Sequence, residues 1–279
     1  MILSDFHTHS SNSGDSDTKM QFQIEAAKKI GLKHLCITEH MDLDYPDVTP
    51  GYEDEMCDFV LDGDAYLSEY IAMKEKYCSS NTDSAFNLYF GVELGLQPQV
   101  ARENESFARK YPFDFIIASS HVLDHSDPYF PPYWEGKDEK DVFKRYFESI
   151  YENICLFNHF DVYGHLDYIV RYGKEKDKYY SYHDFSDVID SILKKLVDNG
   201  KGIEINTGGL KNGLRYPNPC PDILKRYKEL GGEIITIGSD AHTPEYIGYK
   251  FDIAESILKD CGFNYYSIFK NRKPMFIKL

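Results

Sequence analysis

Asp5-Phe6-His7-Thr8-His9 closes the first apolar run of the chain, and its reading decides how the rest folds. In an extended strand, residues two apart point to the same side. His7 and His9 therefore present both imidazoles to one point, with Asp5 two residues behind them. Two neutral imidazoles so placed make a bidentate grip on a metal ion. Alone, a His-x-His pair says little, because histidines alternate by chance on many strands. It gains weight here because acids and histidines recur wherever a later apolar run ends.

Working outward, residues 2–6 read as a first strand, followed by a helix over 19–30 that Asp17 or Thr18 can cap and Gly31 stops. Residues 34–38 form a second strand running into Glu39-His40, and after an acidic connection a helix covers 63–78. A strand at 87–92 ends at Glu93, a helix spans 98–110, and a strand at 114–119 ends at Ser120-His121. A helix at 139–156 leads to a strand at 161–164 and His165, then a helix at 184–199 and a strand at 202–206. The pattern continues with a helix at 221–230 and a strand at 233–238 before Ser239-Asp240-Ala241-His242. A helix at 250–261 and a strand at 274–278 follow. Strand and helix alternate without a linker or low-complexity tract, which implies a parallel sheet in a single α/β domain over residues 1–279. An open sheet would string the strand-end residues along a line, whereas a closed or nearly closed barrel gathers them at one mouth.

Composition sets the outer bounds. A chain of 279 residues with 42% hydrophobic content can bury a full core. Its apolar runs are too short to span a membrane, and residues 1–20 lack the basic start and apolar centre of a signal peptide, so a cytoplasmic protein without a membrane partner is expected. Six scattered cysteines with no C-x-x-C pair read as reduced thiols. The net charge of −15 speaks against nucleic acid as a partner. That charge is uneven: between His34 and Met73 there is no Lys or Arg, while Asp42, Asp44, Asp47, Glu53, Asp54, Glu55 and further acids fall there. A solvated acidic loop and helix face is the ordinary reading. The sharper one is a rim that draws in a cationic ligand.

The strand-end residues are His7, His9, His40, Glu93, His121, His165, Asp240 and His242, which take six of the ten histidines. His34, His125, His159 and His183 lie elsewhere and read as structural or surface residues. Gathering so many ionisable groups at one buried point is costly unless cations neutralise them, so the pattern predicts a site for several metal ions. The loops after the fifth and sixth strands add Arg171 and Arg215, each placed to grip a phosphate or else to sit on the surface.

Asp5-x-His7-x-His9, Thr38-Glu39-His40, Gly91-Val92-Glu93, Ser120-His121, Gly164-His165 and Ser239-Asp240-Ala241-His242 resemble, in order, the motifs of the PHP (polymerase and histidinol phosphatase) family. The resemblance implies a distorted (β/α)7 TIM-like barrel that holds three divalent metal ions, drawn from manganese, iron and zinc. It implies that His7, His9, Glu93 and Asp240 hold the first ion, and that Glu93 bridges to a second on His121 and His165. The third takes His40 and His242 with a residue from the loop after the first strand. Many relatives have a histidine six residues after the His-x-His pair; Asp15 stands there in this chain, with Asp17 as a poorer substitute. Two ions sharing a glutamate suit a bridging hydroxide and an in-line displacement at phosphorus. Catalytic roles are thereby expected of Glu93 and Asp240, assisted by Arg215.

A barrel of this length without an appended domain resembles the free-standing members that hydrolyse L-histidinol phosphate to L-histidinol in histidine biosynthesis. Arg171 and Arg215 would then hold the phosphate, the acids around Asp42 the ammonium, and the aromatic loop at 129–134 the imidazole. Two rivals stand beside this reading. A PHP phosphoesterase of nucleotides or nucleic-acid ends predicts a basic groove, and a catalytically silent metal-binding scaffold predicts lost ligands. The sequence carries no signal for oligomeric state.

Overall fold

Seven short parallel strands form one sheet in chain order: β1 (Ser4–Asp5), β2 (His34–Met41), β3 (Asn87–Gly95), β4 (Phe115–Ser119), β5 (Val162–Tyr163), β6 (Gly202–Asn206) and β7 (Ile235–Gly238). The computed structural model describes residues 1–46, 49, 51–53, 57–78 and 86–279. β7 returns to the chain beside β1 through Phe6 N to Ile237 O at 3.0 Å, Asp240 N to His7 O at 2.9 Å and His9 N to Ala241 O at 2.9 Å. The sheet is therefore a nearly closed barrel, and the distorted (β/α)7 expectation holds.

Helices α1 (Met20–Lys29), α2 (Gly63–Tyr77), α3 (Ala101–Lys110), α4 (Glu139–Leu156), α5 (Ser186–Asp198), α6 (Gly208–Lys211), α7 (Pro221–Glu229) and α8 (Phe251–Asp260) complete the alternation. α5 shows why such segments coil. Ile189, Ile192, Leu193 and Leu196 recur at helical spacing and are all buried, leaving the charged face outside. Asp138 caps α4 by accepting from Lys140 N and Asp141 N, and Asp62 caps α2 in the same way. α1 departs from expectation. Its N-cap position is Lys19 without a side-chain cap, so neither Asp17 nor Thr18 serves there. Among the described residues no helix is long and apolar enough to cross a membrane.

The sheet core lies between strands and helices, in one apolar cluster that runs from Ile2 to Phe269. The chain then adds an element that the sequence reading lacks. β8 (Tyr265–Lys270) and β9 (Lys273–Lys278) form an antiparallel hairpin. Its two turn residues, Asn271 and Arg272, have φ of 49° and 63°, the left-handed pair that a tight hairpin turn requires. This turn is fastened to the amino ends of the barrel strands, opposite the histidines. Asn271 N donates to Asp114 Oδ1 at 2.9 Å, and Arg272 Nε donates to Asp161 Oδ2 at 2.5 Å.

Candidate metal centre

Strand register brings the site together. β2 and β3 run about three residues past their expected ends, and their pairing sets His40 level with Glu93. On the other side, a parallel bridge between Thr8 and Ala241 lays His7 and His9 beside Asp240 and His242. Asp5 fastens that seam. Its carboxylate accepts from Ser239 N at 3.0 Å, Ser239 Oγ at 2.5 Å and Gly248 N at 2.9 Å. Asp240 itself sits at φ 58°, a strained setting for a residue with a side chain and one found mostly at functional sites.

Glu93 is the hub. Its Oε1 lies 2.8 Å from His165 Nε2 and 3.2 Å from His121 Nε2, and its Oε2 lies 3.1 Å from His7 Nε2 and 3.6 Å from His9 Nε2. Asp240 Oδ1 is 3.5 Å from His9 Nε2. Asp15 Oδ2 reaches His242 Nε2 at 2.9 Å and His40 Nε2 at 3.6 Å, while Asp17 forms no ion pair with either among the described residues. Ligand-type atoms converge within 4.8 Å in overlapping groups: His7, His9 and Asp240; His7, Glu93 and His165; His9, His40 and His242; His40, Asp42 and His121.

The donor set fits divalent cations. His7 Nε2, His9 Nε2, His40 Nδ1 and Glu93 Oε2 are buried with no hydrogen-bond partner. Orphaned buried polar atoms are rare and costly, and here they face one another. The opposite edges of the rings are held in place. His7 Nδ1 meets Glu204 Oε1 at 2.7 Å, His9 Nδ1 meets Ser13 Oγ at 3.2 Å, His121 Nδ1 meets Asp42 Oδ1 at 2.7 Å, and His242 Nδ1 meets the Asp240 carbonyl at 3.1 Å. A ring anchored on one nitrogen presents the lone pair of the other, the arrangement that orients histidine toward metals.

Asp42 is buried and its Oδ1 holds His121 Nδ1 at 2.7 Å, while its Oδ2 has no hydrogen-bond partner and the residue lines a hollow beside the cluster. One substrate expectation is corrected. Arg215 is not brought to the cluster. Its backbone N and Nε donate to Asp177 Oδ2 at 2.7 and 3.3 Å, its Nη2 binds the Asp177 carbonyl, and its side chain is 59% exposed in a separate hollow. An aspartate one loop away has captured the guanidinium. Arg171 is brought in: it is buried, and it donates to Asn218 Oδ1 at 2.8 Å, Asp240 Oδ2 at 3.0 Å and Asn206 Oδ1 at 2.9 Å. Of the acidic stretch, Asp47, Asp54 and Glu55 lie outside the described residues.

Sequence reading also missed Glu204 and Asn206. The signal was present in the alternation of β6, Gly202-Ile203-Glu204-Ile205-Asn206. Ile203 and Ile205 join the apolar cluster, so Glu204 and Asn206 take the other face. Attention to strand ends alone passed over an acid in mid-strand.

Two hollows adjoin the cluster. One of about 270 Å³ is lined by His40 and His121 with Asp42, Tyr45, Asp127 and Tyr129. The other, about 300 Å³, is lined by His165, Asp240 and His242 with Arg171, Lys211 and Asn212.

Fold and site together define a metal-binding α/β barrel. The chain belongs to the PHP family, whose domain it matches over residues 5–208. It is 35% identical over 277 residues to a probable histidinol-phosphatase of Clostridium acetobutylicum, covering 99% of this chain and 97% of that one. It is 31% identical to a probable histidinol-phosphatase of Thermotoga maritima, covering 99% of both. The structure is similar to that of histidinol phosphate phosphatase from Lactococcus lactis complexed with zinc, L-histidinol and phosphate. That likeness has a TM-score of 0.83 at 27% identity and covers 98% of each chain.

Proposed function

We propose that the protein is a histidinol-phosphatase, a single PHP barrel domain over residues 1–279 that hydrolyses L-histidinol phosphate to L-histidinol and phosphate. The observation that carries this reading is the opposite character of the two hollows that meet at the cluster. Arg171 and Lys211 make one a place for a phosphate dianion. The other offers Asp127 and the faces of Tyr45 and Tyr129, which suit an imidazole and an ammonium at the far end of the same molecule.

Three ions of manganese, iron or zinc fit the donors. His7, His9, Glu93 and Asp240 would hold one, Glu93 with His121 and His165 a second, and Asp15, His40 and His242 a third. Divalent ions supply Lewis acidity toward phosphoryl oxygens and acidify a water at neutral pH. The protein's own groups set the rest. Burial alone would push the Asp240 carboxyl up, but His7, His9 and Arg171 hold it well below the usual range. Asp240 therefore stays anionic, where it can accept hydrogen bonds but has no proton to donate. Asp127, raised by burial, accepts from Tyr45 Oη and from Tyr129 N at 2.8 Å, and so keeps its carboxylate fixed at the wall of the tyrosine-lined hollow.

The test is phosphate release by metal-loaded protein. L-histidinol phosphate should exceed nucleoside monophosphates and single-stranded oligonucleotides in kcat/KM, stripping with a chelator should abolish turnover, and divalent ions should restore it. Higher kcat/KM on nucleotides or oligonucleotides would overturn the reading.

A further inference from the structure

β6 supplies none of the converging ligand groups, yet it carries the group on which two of the cluster's histidines rest. We propose that Glu204 is a positioning residue: its carboxylate fixes the His7 ring and the His165 main chain so that each imidazole addresses one of the two ions that would share Glu93. The inference rests on the metal reading above.

Glu204 is 1% exposed. Its Oε1 lies 2.7 Å from His7 Nδ1, and its Oε2 accepts from His165 N at 3.0 Å and from Asn206 Nδ2 at 3.1 Å. One carboxylate thus ties the end of β1 to the end of β5 from a strand that lies between β5 and β7. Because a carboxylate only accepts, His7 must carry a proton on Nδ1, and in the neutral ring that a metal requires the lone pair then falls on Nε2. That Nε2 is buried without a hydrogen-bond partner and lies 3.1 Å from the Glu93 hub.

The surrounding backbone makes room for this group. A Cβ added at Gly238 would lie 2.2 Å from Glu204 Oε1 and 2.3 Å from His7 Cβ, and one at Gly164 would come within 3.4 Å of Oε2. Side chains are missing from the neighbouring strands at the level where the carboxylate sits. Glutamine is no substitute. His7 Nδ1–H and His165 N–H both require acceptors, and an amide offers only one, so one donor would face an NH2 group.

The experiment compares wild type, Glu204→Gln and Glu204→Asp, each loaded with zinc and then titrated with a competing chelator. Glu204→Gln should weaken the ions held by His7 and by His165 by about 10–100-fold, with kcat falling more than KM rises. Glu204→Asp keeps the charge and both acceptors but withdraws them, and should fall between. It decides the matter if Glu204→Gln does not fold. A folded variant that holds its ions within threefold of wild type overturns the proposal, even if its thermal stability drops, because that is the signature of a purely structural glutamate. A wild-type protein that binds no zinc would fell the metal reading itself, and this inference with it.

Discussion

Replacing Arg171 by alanine probes the link between barrel and phosphate. The side chain is 4% exposed, and three of a guanidinium's five N–H donors are spent on Asn218, Asp240 and Asn206. The other two have no hydrogen-bond partner among the described residues, and Arg171 lines the hollow beside Asp240 and His242. On truncation Asn206 Oδ1 keeps its bond from Gly208 N at 2.9 Å, while Asn218 Oδ1 and Asp240 Oδ2 lose a donor. At about 1–3 kcal/mol per orphaned buried acceptor the cost is roughly 2–6 kcal/mol. Water entering from the hollow brings it to the lower end, a fall in Tm of several degrees. Losing a preorganised donor to the phosphoryl group should remove a further 2–4 kcal/mol, roughly, of transition-state stabilisation, about 30- to 1000-fold in kcat/KM. Arg171→Lys should recover little of this, because a point charge cannot serve three fixed acceptors and a phosphate together. Steady-state kinetics on L-histidinol phosphate, run below the variant's melting range with metal content measured in parallel, decide the matter. A fully metallated Arg171→Ala protein with kcat/KM within threefold of wild type would refute the reasoning.

Arg272→Ala should cost about 2–3 kcal/mol in denaturant unfolding, less than a fully buried pair because the arginine is 24% exposed while Asp161 is 7% exposed. Activity should be unchanged, and a loss under about 0.5 kcal/mol would show that the hairpin turn is not held by this pair. Asp167 supplies a pH dependence. Burial pushes its carboxyl up to about 6 against hydrogen bonds from Asn218 and Cys220 N that lower it. A folded-state pKa above the unfolded value of 3.8 means a stabilising contribution that is present below 3.8 and lost as pH rises through about 6. Between pH 4 and 7 wild type should therefore lose up to roughly 3 kcal/mol relative to Asp167→Asn, and parallel stability curves for the two would contradict the assignment. Asp15→Ala should weaken selectively the ion held with His40 and His242, whereas Asp17→Ala should leave it alone. Equal metal content in both variants at limiting zinc would remove Asp15 from the set.

The sequence and the structure agree where chemistry depends on strand alternation, and part where it depends on loops. His7, His9 and Asp240 could be placed together because a parallel barrel leaves strand ends only one place to meet. Glu93 and His40 were legible for the same reason, although their strands extend further than the apolar runs alone suggest. Arg215 was misplaced because its partner, Asp177, lies 38 residues away in another loop. No local pattern reveals that pairing. Asp42 was assigned to the right neighbourhood, but its hold on His121 was not legible, since an acid beside a histidine is the same in sequence whether it holds the ring or awaits a ligand. β8 went unseen because Asn271-Arg272 lacks the glycine that usually marks a two-residue hairpin turn.

Asp5 and Ser239, whose bond fastens the barrel seam, are 234 residues apart. During synthesis the first strand must therefore wait for almost the whole barrel before its second neighbour exists. Its histidines wait as well, because Asp240 and His242 arrive just after β7, the last strand of the barrel. Contacts of such long range form slowly and late, and until they do β1 offers an open edge to other chains. Metal loading follows from this timing as an event of the finished chain. A nascent protein starved of its ions would be most exposed to aggregation at the strand that begins it.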